Sequence, residues 1–231
     1  MQIVEHEEAG RFVPLTQIKT AEDLTHEITN LIPLLHAPRD VADPIRYVFS
    51  EMVRNVLEHS LSPTGAFVCV QYYRQTQKIS VGIADAGRGI LDHMQQHHQV
   101  STSEQAIRLA LQPGITGTTS RLGGTQFNAG AGLFFTKSIS LLSRNYFMLY
   151  SGDTIFRLNK TRACNQVQLH ADPLFDPNRM SVAPRWRGPV VGIDLNIEQG
   201  IKFADLLDQV RSAYQIDVKK KRDYSAKIRF S

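Results

Sequence analysis

Apolar residues recur along this chain with two different periods, and each change of period marks a new element. Within residues 45–57 the apolar positions Ile45, Val48, Phe49, Met52, Val53, Val56 and Leu57 follow three-and-four spacing, which predicts a helix with one buried stripe. Asp43 is suited to cap that helix and Pro44 to its first turn, so it is expected to begin there. Upstream, residues 11–18 read as a short strand, and Thr20 with Asp23 forms a capping-box pattern ahead of Leu24, Ile28, Leu31, Ile32 and Leu35. Pro33 lies inside this earlier helix and Pro38 just beyond it, so the helix should kink or end early and leave residues 37–43 as a loop.

Past the turn residues Ser62, Pro63 and Gly65 the period drops to two. Residues 67–73 are rich in β-branched and aromatic side chains, and residues 78–84 place Ile79, Val81 and Ile83 on one side, which predicts two adjacent antiparallel strands, the second running into Asp85. Residues 91–127 lose strong periodicity, except for a short helix that Ser101 and Glu104 would cap and Ala106, Ile107, Ala110 and Leu111 would bury. The rest of that stretch, rich in Gly and Thr, has the make-up of a cover over a ligand. A helix should start at Gly132, with strands over residues 146–150, 154–158, 166–169 and 190–197 and an irregular, proline-rich excursion over 171–189. Residues 201–214 read as a helix and 226–231 as strand-like, an ending that would open a further domain.

The resulting expectation is an α+β fold, an antiparallel sheet with helices on one face. It divides into a flank of residues 1–42, a central domain of 43–198, and a C-terminal helix and basic tail of 199–231.

Composition narrows the setting. No apolar run approaches the ~18–20 residues of a membrane-spanning helix, and Glu5, Glu7 and Glu8 stand where a signal peptide needs basic and apolar residues, so the chain is expected to be cytoplasmic and not membrane-bound. Cys69 and Cys164 have no neighbouring partners, which points to reduced thiols and away from a zinc site. The formal charge of +4 owes much to Lys219, Lys220, Lys221 and Arg222. Without interleaved aromatics this run reads as a solvated helix end or a linker, and nucleic acid is not an expected partner. His93, His97 and His98 lack an acid or Cys to complete a metal set and read as a solvated polar cover.

Three motifs carry chemistry. Glu51, Asn55 and His59 fall on successive turns at one edge of the buried stripe. Asn55 can offer an oxygen to Mg²⁺, Glu51 can orient or deprotonate a water, and His59 suits a hydrogen-bonding role at the helix end. Asp85, at a strand end, can accept a hydrogen bond from an exocyclic amine, while Gly87 and Gly89 permit a sharp turn and close approach to a planar ring. Gly130-Ala131-Gly132-Leu133 opens a helix with unhindered N–H groups, a phosphate-binding arrangement to which Asn128 and nearby Thr residues can add donors.

In this order the motifs resemble the ATPases that unite DNA gyrase, the heat-shock-ninety chaperone, histidine kinases and the mismatch-repair ATPase, the GHKL superfamily. EMVRNVLEH is similar to its N box, DAGRGI to its first glycine box and NAGAGL to its second, over roughly residues 45–197. The resemblance implies a two-layer α/β sandwich of Bergerat type, with a mixed, mostly antiparallel sheet and residues 91–127 as the ATP lid. It makes Glu51 the general base, Asn55 the Mg²⁺ ligand and Asp85 the acceptor for the adenine amine. Gly87, Gly89 and Ile90 would lie on the adenine side, with Thr118, Thr119, Asn128, Gly130, Ala131, Gly132 and Leu133 toward the phosphates. ATP and Mg²⁺ are then the implied ligands, and a protein partner, with a homodimer as one option, the implied company. Gly188-Pro189 stands where the family has a Gly-Thr pair, which removes a hydroxyl from the base site. The NVLEHS ending is similar to stand-alone histidine-kinase-like modules and anti-sigma-factor serine kinases. A slow ATPase used for regulation, a protein kinase acting on serine or histidine of a partner, and an ATP-holding module without turnover all fit these residues.

Overall fold

A computed structural model describes residues 12–35, 39–73, 75–76, 78–119, 132–159, 168–196 and 203–229. The first strand, β1 (Phe12–Ile18), is followed by α1 (Ala21–Leu35). The capping box between them forms as the sequence predicts: the Asp23 carboxylate accepts from the Lys19 and Thr20 N–H groups, and the Asp23 N–H donates to the Thr20 hydroxyl at 3.0 Å. The next helix, α2 (Arg39–His59), starts one turn earlier than Asp43, so Asp43 is not its cap and most of the expected 37–43 loop is helical. A proline inside a helix removes one N–H and crowds one carbonyl, and the long apolar stripe downstream of Pro44 outweighs that cost.

Hairpin strands β2 (Ala66–Tyr73) and β3 (Lys78–Asp85) pair antiparallel in full register, from Ala66 with Asp85 to Tyr73 with Lys78. Two short helices follow, α3 (Ile90–Met94) and α4 (Ser103–Ala110), then α5 (Gly132–Leu142). The cap of α4 is Thr102, whose hydroxyl accepts from the Gln105 N–H, one residue later than the expected Ser101. Ser101 instead donates its N–H to the Gln105 side chain.

The expected strands over 146–150 and 154–158 merge into β4 (Phe147–Leu158), and the last strand, β5 (Asn178–Asn196), takes in most of the region read as an excursion. Of the expected 166–169 strand, 166 and 167 lie outside the described residues, while Gln168 and Leu169 are irregular. The last element is α6 (Phe203–Arg229), so the strand-like reading of the tail is corrected: 226–229 are helical, continuing α6 where no described strand lies alongside to pair with them.

The sheet order is β1-β2-β3-β5-β4, and every pairing is antiparallel, as the strand pattern predicts and without the parallel pairing that the resemblance's mixed, mostly antiparallel sheet would include. Alternation along β3 buries Ile79, Val81, Ile83 and Asp85 on one face. α2 packs on β2, β3 and β5, α5 on β4 and β5, and α6 on α5 and α2. The result is an α+β architecture of a helix layer on a five-strand antiparallel sheet. Its core runs between them through Phe49, Val53, Val81, Phe147, Leu149 and Ile193. No described helix is long and apolar enough to cross a membrane.

Candidate functional site

The site grows from the end of β3. Because Asp85 continues the inward parity of Ile79, Val81 and Ile83, strand periodicity alone turns its carboxylate toward the helix layer, where it is 1% exposed. Oδ1 accepts from the Gly87 N–H at 2.7 Å, whereas Oδ2 is buried with no hydrogen-bond partner among the described residues. Burial holds the proton on this carboxyl and pushes its pKa up to about 6, against the opposing pull of the Gly87 N–H and the Ser60 hydroxyl.

The following turn is clamped to the end of α2. Arg88 donates its N–H to the Ser60 carbonyl at 2.6 Å and its Nε to the His59 carbonyl at 2.7 Å, satisfying carbonyls that a helix end leaves open. Gly87 belongs to this clamp and not to the cavity wall: a Cβ there would lie 2.2 Å from the Ser60 oxygen. From the other side Gly188, at φ +87°, presses against Asp85, and a Cβ would lie 2.3 Å from the Asp85 carbonyl.

A cavity opens beside Asp85, and α2 lines it with Met52, Asn55, Val56 and His59. Gly89, Ile90, Gly132 and Leu133 from the predicted set line it as well. Gly132 starts α5, and a Cβ built on it would meet Glu51 Oε2 at 3.1 Å and Asn55 Nδ2 at 3.2 Å. The two polar residues of α2 therefore converge on a helix N-terminus, where unpaired N–H groups and the helix dipole favour an anion. Glu51 itself stands just outside the lining and forms an ion pair with Arg54 through Oε1. Asn128, Gly130 and Ala131 lie outside the described residues.

The outer wall comes from the segment between α4 and residue 119. Thr116 and Gly117 line the cavity; Thr118 and Thr119, the expected pair, sit on the same turn but off the wall, Thr118 sharing a hydroxyl contact with Thr116 at 3.0 Å and Thr119 bridging back to Thr116. His93 is the clearest residue that sequence reasoning missed. Instead of a solvated cover residue it is part of the cavity wall, its Nε2 buried without a partner among the described residues and its ring 5.4 Å from that of His59. Burial, reinforced by Arg88 and the neighbouring histidines, pushes its pKa down to about 4, so the ring is neutral at neutral pH. Gly117 lies against that ring so closely that a Cβ would sit 2.6 Å from it. Ile90 to Met94 form a helix with Met94 buried, and the irregular pattern around them gave no signal that would turn His93 inward. Pro189 lines the cavity too, placing an apolar ring next to Gly188.

The arrangement is an apolar slot with one unpaired carboxylate oxygen at one side, and a helix N-terminus with an amide and a carboxylate at the other. Chemically it suits a planar ring bearing an N–H donor, joined to an anionic group. Compared with known protein families and with curated proteins, the sequence matches none.

Proposed function

We propose that this protein binds ATP with Mg²⁺ in the cavity beside Asp85 and hydrolyses it slowly as a nucleotide-driven regulatory module. The observation that carries the reading is Oδ2 of Asp85, buried and without a hydrogen-bond partner among the described residues. An unsatisfied buried acceptor costs about 1–3 kcal/mol, more for a charged group, and a donor such as the adenine amine would recover that cost. The apolar lining from Met52, Ile115 and Leu149 suits a base, and Pro189 offers it a flat surface where a hydroxyl would have read its edge. Asn55 would hold Mg²⁺ through its side-chain oxygen, and the α5 N-terminus would face phosphate oxygens. Bound Mg²⁺ supplies neutralisation of the triphosphate charge. Glu51 would orient a water or accept its proton. The order of the three sequence motifs supports the same assignment.

A second reading rests on a specific contact. Glu51 is engaged by Arg54 through Oε1, so that oxygen is already occupied by a guanidinium N–H and not open to a water, which favours ATP held without turnover. Phosphate transfer to a protein acceptor would use the same Glu51. Calorimetric titration with Mg-ATP, with phosphate release followed in wild type and Glu51→Ala, separates these readings. Retained binding with lost release makes Glu51 the base; binding with no release in either protein gives the second reading; label moving to a co-purified protein gives the kinase. ATP binding unchanged in Asp85→Asn would sink the site assignment.

A further inference from the structure

Beyond the cavity, β5 carries an unusual arm. Residues 190–193 are sandwiched between β3 and β4, and 194–196 pair with β3, but from Asn178 to Pro189 the strand pairs with β4 alone, and its other edge pairs with nothing among the described residues. β3 stops at Asp85 and its chain turns away into α3, so no strand among the described residues fills the place beside the arm. Unpaired N–H and C=O groups along such an edge are a template for another strand.

The side chains on the arm are as unusual as its backbone. Arg157 and Arg179 are direct Cα partners across β4 and β5, on the face opposite buried Phe156. Like charges placed directly opposite each other destabilise a strand pair. Arg185 and Arg187 follow on the same strand, all four arginines are exposed, and none forms an ion pair among the described residues. The acids next to the arm are engaged elsewhere: Asp172 with Arg108, Asp176 with Lys137, and Asp153, which offsets Arg185 in part, with the Thr154 hydroxyl. Large apolar side chains are exposed among the arginines, Val182 at 87% and Trp186 at 48%, with Phe175 at the arm's foot. Uncompensated positive charge, exposed apolar surface and an open ladder together describe an interaction surface.

We propose that the free edge of β5, over residues 178–183, docks an acidic, extended polypeptide segment of a partner, which adds to the sheet as a strand and sets its carboxylates against Arg157, Arg179, Arg185 and Arg187. Pro184 has no N–H to donate, which limits the new ladder to the residues before it. The edge arginines repel a second copy of the same edge and select a strand of opposite sign. The open ladder favours polypeptide over nucleic acid, since only a backbone with amide groups can complete it. The inference is independent of what the cavity binds.

Trp186 is the single tryptophan of the chain and reports on the arm directly. The full chain is titrated with a short synthetic peptide of alternating glutamate and valine, with the same peptide N-methylated at alternate amides, and with an oligothymidylate of equal charge. Saturable change in Trp186 emission and slowed hydrogen exchange at 178–183 are expected with the first peptide. A loss of about tenfold in affinity is expected on N-methylation and again in Arg179→Glu/Arg187→Glu. If that variant melts early, the two peptides compared on the wild-type protein decide alone. Absence of saturation, equal binding by the N-methylated peptide, tighter binding of the oligothymidylate, or a self-associated dimer with residues 178–183 protected would each overturn the proposal.

Discussion

Asp85 and the glycine behind it set the properties of the site one residue at a time. The Asp85 carboxyl titrates near 3.8 in an unfolded chain and near 6 in the fold because burial disfavours its charge. A raised native pKa means that the folded state holds the proton more tightly than the unfolded chain does. The carboxyl therefore favours the fold at low pH and opposes it as pH rises, the full penalty standing above about pH 6. Two pKa units correspond to roughly 3 kcal/mol. Asp85→Asn, uncharged and of the same shape, is expected to remove this slope and to make the ligand-free protein more stable than wild type near pH 8, by up to that amount. Urea denaturation of both proteins across the pH range checks it. Glycines on β5 offer a matched pair. Gly188→Ala combines left-handed backbone with collision at the Asp85 carbonyl and is expected to cost about 2–4 kcal/mol and to weaken ATP binding. Gly192→Ala meets nothing nearer than Met148 Cε at 3.6 Å and is expected to stay within about 0.5 kcal/mol of wild type. Thermal melts of the two variants beside wild type check the contrast.

At the scale of elements, α5 is held by a buried charge pair. Lys137 and Asp176 are both fully buried and bonded to each other, tying α5 to the turn before β5. Burial pushes the lysine's pKa down and the aspartate's up, with each partner's charge opposing the shift. Lys137→Met alone leaves a buried carboxylate without its cation and is expected to cost about 3–5 kcal/mol, while Lys137→Met/Asp176→Leu is expected to be near neutral. Denaturant melts of the single and double variants measure the difference. This pair was illegible in the sequence, since nothing in the periodicity of α5 distinguishes Lys137 from a solvated lysine. The arm of β5 was illegible for a related reason. Proline signals a break where a strand needs every donor, yet the 178–189 segment is an edge, where a missing N–H costs little. Asp85 and Asn55 were legible as lining positions because each sits on an element of strong period, which fixes the direction of its side chain. His93, Thr116, Gly117 and Pro189 come from stretches without period and reach the cavity only through tertiary packing.

Across the whole molecule, the cavity is walled by two bodies of unequal packing. The sheet and α2 share the main core, to which α4 and its end add Ile107 and Leu111, whereas Met94, Ala106 and Ala110 form a small second cluster with the segment up to residue 119. The links from this smaller body to the rest include the Ile90 N–H to the Ser151 hydroxyl at 3.0 Å and Arg108 to Asp172. Within it His98 bonds the Thr116 carbonyl at 2.8 Å, so the turn over the cavity moves with α3. A small satellite cluster opens at lower free energy than the main core. Hydrogen exchange in the ligand-free protein should accordingly be faster over residues 90–119 than over β2 and β3. A ligand seated between the two bodies binds only when they are together, so Mg-ATP should slow exchange over 90–119 toward the rate of the sheet. At a hundred times its dissociation constant it should also add about 2.7 kcal/mol of stability, a rise of roughly 5–10 °C in Tm for a chain of this size. Both effects should vanish together in Asp85→Asn. Protection spread evenly over the sheet and residues 90–119 would mean that the ligand steadies the molecule globally and that the cavity does not close by movement of this body.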